Sequence, residues 1–259
     1  MTFIAADTQN LSNHDRLLDD SRISVREPFV WVRQGMADFK RIPGLSLIYG
    51  VLFAGLCAGI YYLTQNVPWY TMAYITGLAF VGPFIASGLY AASRDMERGV
   101  RPSVMGSFRL IGKHKTYLGL FALMLTLVMA AWVRFSALMF AIAYNGLTPN
   151  ADFMSSSWVG SEGMIAFSFF AVICVLLAGI VFSIGAFAIP RILDRDADFI
   201  SAMGYSYRRV ASNLPAMAVW AGIIVTLTAV GIATAFIGLV VIFPILGFAT
   251  WHSYQAVSK

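Results

Sequence analysis

The sequence predicts an all-α membrane protein, a polytopic bundle of six transmembrane helices with amphipathic cytoplasmic helices at the interface between them. Three observations predict it. Hydrophobic residues make up 59% of the 259-residue chain and charged residues only 12%, about half the charged share of an ordinary soluble protein. Uncharged apolar runs recur at the length a helix needs to cross a hydrocarbon core of about 30 Å, which is about 20 residues. The basic residues fall in blocks between alternate runs, as the positive-inside rule requires.

The elements follow in order. Residues 1–27 form a polar cytoplasmic tail, residues 28–255 the six-helix domain, and residues 256–259 a cytoplasmic end. The tail mixes Asp7, Asp15, Asp19, Asp20 and Glu27 with Arg16, Arg22 and Arg26, so it lacks the apolar core of a cleavable signal peptide. The predicted spans are 44–63, 70–92, 117–143, 164–189, 214–232 and 235–252. The first, second and fourth contain no Asp, Glu, Lys or Arg, and the third contains Arg134 alone. Residues 214–251 are uncharged throughout and would extend about 57 Å as one straight helix. They must fold back, and the turn is placed at residues 231–235.

Charge placement checks this count independently. Arg16, Arg22, Arg26, Arg33, Lys40 and Arg41 precede the first span. Arg94, Arg98, Arg101, Arg109, Lys113 and Lys115 lie between spans two and three, and Arg191, Arg195, Arg208 and Arg209 between four and five. The connections 64–69 and 144–163 and the last turn carry none. Both termini are therefore expected in the cytoplasm. The same block pattern argues against nucleic acid, despite a net charge of +5, because no single basic patch forms.

The cytoplasmic segments carry short helical periods. Phe29, Val32, Met36 and Phe39 are one set, Val104, Phe108 and Ile111 a second, and Ile200, Met203, Tyr207 and Val210 a third. Each is flanked by basic residues, as in helices that lie in the membrane interface. Residues 103–106 (SVMG) and 201–204 (SAMG) nearly match, and Pro83, Pro190 and Pro244 mark the inner parts of the even-numbered spans. A loose threefold repeat of interfacial helix, outward span and inward span accounts for all of this. Gly55 with Gly59, and Gly82 with Ala86, are the small pairs expected where helices touch.

Residues able to carry chemistry are few. His14, His114 and His252 lie away from the membrane middle, so no pair is placed to ligate a transmembrane haem. Cys57 and Cys174 sit in apolar runs and read as packing residues. Asp194, Asp196 and Asp198 open like a calcium loop, but Phe199 and Tyr205 occupy the positions that need Gly and Glu. Their expected role is to start the next helix. No phosphate loop, nucleophile elbow or metalloprotease motif appears, and no catalytic, cofactor or metal site is assigned. The residues left for partner or lipid contact are Arg94, Arg98, Arg101, Arg109, Arg195, Arg208 and Arg209. Arg134 is the one intramembrane candidate; snorkelling to the outer interface, or pairing with Asp152 or Glu162, is its structural alternative.

Pro28, Phe29, Trp31, Gly35, Asp38, Phe39, Pro43, Tyr49 and Gly50 follow one another in an order that resembles a known family. Further matches are Gly82, Pro83, Gly88 and Tyr90, the stretch Leu193, Asp194, Arg195 and Asp196, and the ending Pro244, Gly247, Trp251 and His252. The chain resembles, from Pro28 to Tyr254, the bacterial predicted integral membrane proteins grouped as domain of unknown function 2189. The resemblance implies no activity. Some members are related by name to cytochrome c oxidase subunit I, yet the intramembrane histidines of such a subunit are missing here. What it implies instead is a place beside a respiratory or other membrane complex. The expected function is a non-enzymatic accessory, scaffold or assembly protein that binds membrane partners or lipids; the alternative is a small-solute channel or transporter.

Overall fold

The structure, a computed structural model, describes residues 23–144 and 161–258. All regular elements among them are helices: α1 Glu27–Arg41, α2 Pro43–Thr64, α3 Pro68–Ile85, α4 Ser87–Glu97, α5 Val104–Lys113, α6 Lys115–Tyr144, α7 Ser161–Gly185, α8 Ala188–Arg195, α9 Phe199–Ser212, α10 Leu214–Ala233 and α11 Leu239–Ser258. Most of the predicted tail, residues 145–160 of the predicted outer connection and Lys259 lie outside the described residues.

Among the described residues, five stretches are long and apolar enough to cross a membrane: α2, residues 115–139 of α6, residues 168–195 across α7 and α8, α10 and α11. The count differs from the predicted six at α3. That helix occupies the place of the second span and carries no charged side chain over its 18 residues, but it is not among the five.

Local chemistry sets the boundaries. Proline stands in the first turn of α1, α2, α3 and α10, where its missing N–H costs nothing. Ser103 and Asp198 cap α5 and α9 by accepting from Gly106 N at 2.9 Å and Ser201 N at 3.0 Å. The cap at Asp198 is the helix-starting role expected of that acidic run. Pro83 lies inside α3, and the helix ends three residues later with Ala86 as its C-cap. Pro244 sits inside α11 without ending it.

The final turn spans residues 234–238, slightly later than predicted. Ala235 and Phe236 adopt left-handed φ values of 53° and 68°. Thr234 secures them: its hydroxyl donates to Gly231 O at 2.8 Å and accepts from Gly238 N at 2.8 Å.

The helices pack in an order that repeats three times. α1 lies along α11, α5 along α4, and α9 along α7 and α8. A small residue makes each seam. A Cβ on Gly35 would collide with the backbone of Ile245 and Ala249 in α11. Ser107 donates to Gly88 O at 3.1 Å. Ser206 donates to Ser183 O at 2.8 Å and accepts from Phe187 N at 3.1 Å. All three stand seven residues before the residue that ends their helix, namely Ile42, His114 and Asn213. Among the long helices, α2 packs on α11 and α6 on α3, whereas α10 and α7 make no comparable contact among the described residues.

The first predicted small pair needs correction. Nothing lies within 4 Å of a Cβ built on Gly55 or Gly59, whereas Gly82 and Ala86 are both buried. The buried face of α2 is Ser46, Tyr49, Gly50, Phe53, Ala54 and Cys57, a stripe that turns Gly55 and Gly59 away from α11. Gly50 is the glycine that permits close approach, since its missing Cβ would overlap the Val240 carbonyl. Beside it Phe53 stacks on Phe243 at 4.0 Å between centroids. Cys57 is buried in this contact region, as expected of a packing residue.

Candidate functional site at the charged end

Three carboxylates organise the end of the bundle where the short helices gather. Asp38 follows Trp31 and Gly35 on the buried face of α1 and is only 4% exposed. Burying a carboxylate is costly unless it is paired and hydrogen-bonded. His252 Nε2 lies 2.8 Å from its Oδ2, Ser93 donates to the same oxygen at 3.3 Å, and Arg41 stands 3.6 Å from Oδ1. One side chain thus links α1, α4 and α11.

Asp194, at the end of α8, is the second. It accepts from Tyr254 Oη at 3.1 Å and pairs with Arg98 at 3.4 Å and Arg195 at 3.2 Å. Arg94 stands nearby, and its buried Nε has no acceptor among the described residues. Burial, and then the Arg98 charge, push its pKa below the usual guanidinium range.

Asp196 is the third, in the link between α8 and α9 with a left-handed φ of 52°. It bonds His114 Nε2 and lies 3.2 Å from Lys113 Nζ, tying the α5–α6 junction to that link. Hydrogen bonds from His114 and then Lys113 hold its pKa below the ordinary carboxylate value. Asp198 is likewise held low by the hydrogen bonds it makes as a cap, those from Ser201 first. The three alternating acids therefore serve different partners. Among the described residues no group of His, Cys, Asp and Glu is arranged to hold a metal ion.

A cavity of about 280 Å³ opens between α1, α4 and α11, lined by Glu27, Trp31, Gln34, Glu97, His252 and Gln255. Partial burial raises the pKa of Glu97, and the charges of Asp194 and Asp38 add to the rise, against the opposing influence of Trp251 and His252.

The seven predicted arginines separate into two groups. Arg98 and Arg195 are engaged with Asp194, and Arg94 lies beside them. Arg209 rests over the Tyr205 ring, 5.4 Å from its centroid, with Arg191 at 4.4 Å. Arg101, Arg109 and Arg208 are exposed and form no ion pair among the described residues. Exposed apolar side chains surround them: Met105 (68%) and Phe108 (60%) on α5, Ile200 (75%) and Tyr207 (57%) on α9. Arg134 is exposed on α6; Asp152 and the Glu162 side chain, its alternative partners, lie outside the described residues.

Asp38, Ser93 and His114 were not among the sequence candidates. The apolar set on α1 drew attention to the opposite face, where Phe29 and Met36 are exposed. The available signal was an acid three residues after Gly35 and seven after Trp31, in register with the small buried stripe.

Residues 71–194 match the model of a family described as predicted integral membrane protein (DUF2189), a family of unknown function. That interval runs from α3 through α8 and covers the carboxylate of Asp194, but it is shorter than the resemblance read from Pro28 to Tyr254. No curated protein and no solved structure matches the chain. The protein is membrane-embedded, with several apolar helices.

Proposed function

We propose that this membrane protein is a non-enzymatic accessory or scaffold protein of the bacterial inner membrane, crossing it six times with both termini in the cytoplasm. Its charged end is the docking face, for lipids or for a membrane protein complex such as a respiratory one. The observation that supports this reading is the division of charge. Asp38, Asp194 and Asp196 are occupied in joining helices, while Arg101, Arg109 and Arg208 stay exposed beside apolar side chains. Fixed acids make the frame rigid, and the remaining positive charge attracts anionic surfaces.

Affinity copurification in mild detergent tests it, with the wild-type chain compared against a variant carrying Arg101→Glu, Arg109→Glu and Arg208→Glu. Reproducible recovery of one membrane protein or lipid class with the wild type, and its loss with the variant, is the expected outcome. Repeated recovery of nothing specific by either chain would overturn the reading.

A further inference from the structure

We infer that the outer faces of α5 and α9 are two equivalent sites for the headgroups of anionic phospholipids; this rests on the docking reading above and narrows it to bilayer lipid. The argument begins with register. Ser107 and Ser206 are both fully buried, both hydrogen-bonded to the backbone of the neighbouring unit, and both seven residues before the end of their helix. Those bonds fix how each helix is rotated. The next two residues are then forced outward in the same way, and they are an aromatic followed by an arginine in both helices: Phe108 with Arg109, and Tyr207 with Arg208. All four are exposed. On α1 the equivalent residues after Gly35 are Met36 and Ala37, which lack the charge, so the pattern supplies two sites rather than three.

Position along the membrane normal points to lipid. A single residue, His114 or Asn213, separates α5 from α6 and α9 from α10. Both α6 and α10 contain membrane-crossing stretches, so the short helices cannot stand far from the bilayer surface. At that level an aromatic ring suits the headgroup region. A guanidinium can grip a phosphate through two parallel hydrogen bonds. A short helix with exposed apolar and basic residues on one side is the form that lies in an interface. Charge complementarity favours anionic over zwitterionic lipid, since neither arginine has an acidic partner among the described residues.

The test is titration of phosphatidylglycerol into the full chain in mild detergent, followed by native mass spectrometry, with phosphatidylethanolamine and inorganic phosphate as comparison probes. Two retained phosphatidylglycerol molecules are expected, with Arg109→Gln and Arg208→Gln each losing about half and the double variant nearly all. Arg33→Gln on α1 should keep both. Thermal unfolding of each variant in the same detergent confirms that it is folded, and Arg109→Lys and Arg208→Lys should recover part of the binding. Equal retention of phosphatidylethanolamine, wild-type retention by the folded double variant, or displacement by inorganic phosphate at millimolar concentration would overturn the inference. A protein partner recovered without phosphatidylglycerol selectivity would overturn the lipid sites and leave the docking reading standing; recovery of neither would overturn both.

Discussion

His252 Nε2 lies 2.8 Å from the buried carboxylate of Asp38 across 214 residues of chain, so a buried polar contact joins the last helix to the first described one. Asp38→Ala removes the partner of His252 and of Ser93 together. The expected cost is about 1–3 kcal/mol, the penalty for leaving buried polar groups unpaired. His252→Ala should cost less, because Ser93 and Arg41 still serve the carboxylate. Thermal unfolding of the two single variants and the double variant reads the coupling. Strictly additive losses would show that the two side chains do not depend on each other.

Two glycines five residues apart in α2 should behave oppositely. Gly50→Ala drives a methyl group into the Val240 carbonyl, and overpacking of this kind costs about 1–3 kcal/mol. Gly55→Ala meets open space and gains helix propensity, so it should be neutral or stabilising by up to about 1 kcal/mol. Detergent unfolding midpoints compare them. Destabilisation by Gly55→Ala would mean that this face packs against another chain.

The buried serines of the repeated seams are predicted to be unequal. Ser206→Ala deprives both Ser183 O and Phe187 N of a partner, while Ser107→Ala deprives Gly88 O of a donor and leaves no backbone N–H unpaired. An unsatisfied N–H is tolerated less well than a carbonyl, which has two lone pairs. Ser206→Ala should cost about 1–3 kcal/mol, at the top of the range for a buried unpaired group, and Ser107→Ala should fall at the bottom. Equal unfolding midpoints for the two variants would contradict this.

Acid should loosen the link between α8 and α9. The folded-state pKa of Asp196 is lowered, so the charged form is the one the fold favours. That stabilisation is present above the unfolded carboxylate value of about 3.9 and is lost as pH falls below it toward the folded value. Hydrogen exchange at residues 194–199 should accordingly quicken below about pH 4, once the intrinsic pH dependence is removed. Asp196→Asn should quicken it already at neutral pH. A pH profile identical for wild type and Asp196→Asn would show that the contact to His114 does not restrain the link.

Much of the architecture was legible from local features. The long apolar runs, the block pattern of arginines, the Asp198 cap and the fold-back after α10 each depend on residues close together in the chain. Their physical causes, hydrocarbon thickness and capping of N–H groups, act over one helix length at most. The site was less legible. Seven arginines looked alike in sequence, and which of them are engaged depended on where Asp194 and Tyr205 come to lie. Gly55 and Gly59 had the spacing of a packing motif, but helix rotation placed Gly50 at the contact instead.

Composition and periodicity thus settled that this chain is a helical membrane protein and where most of its long helices run. The small-residue seams of the short helices, the buried Asp38 with His252, and the separation of engaged from exposed arginines arose only on assembly. The reason is distance along the chain: a helix must satisfy its apolar length by itself, but the partner of a buried carboxylate can come from any helix that assembly brings within reach. Such pairs leave no periodic mark in the sequence.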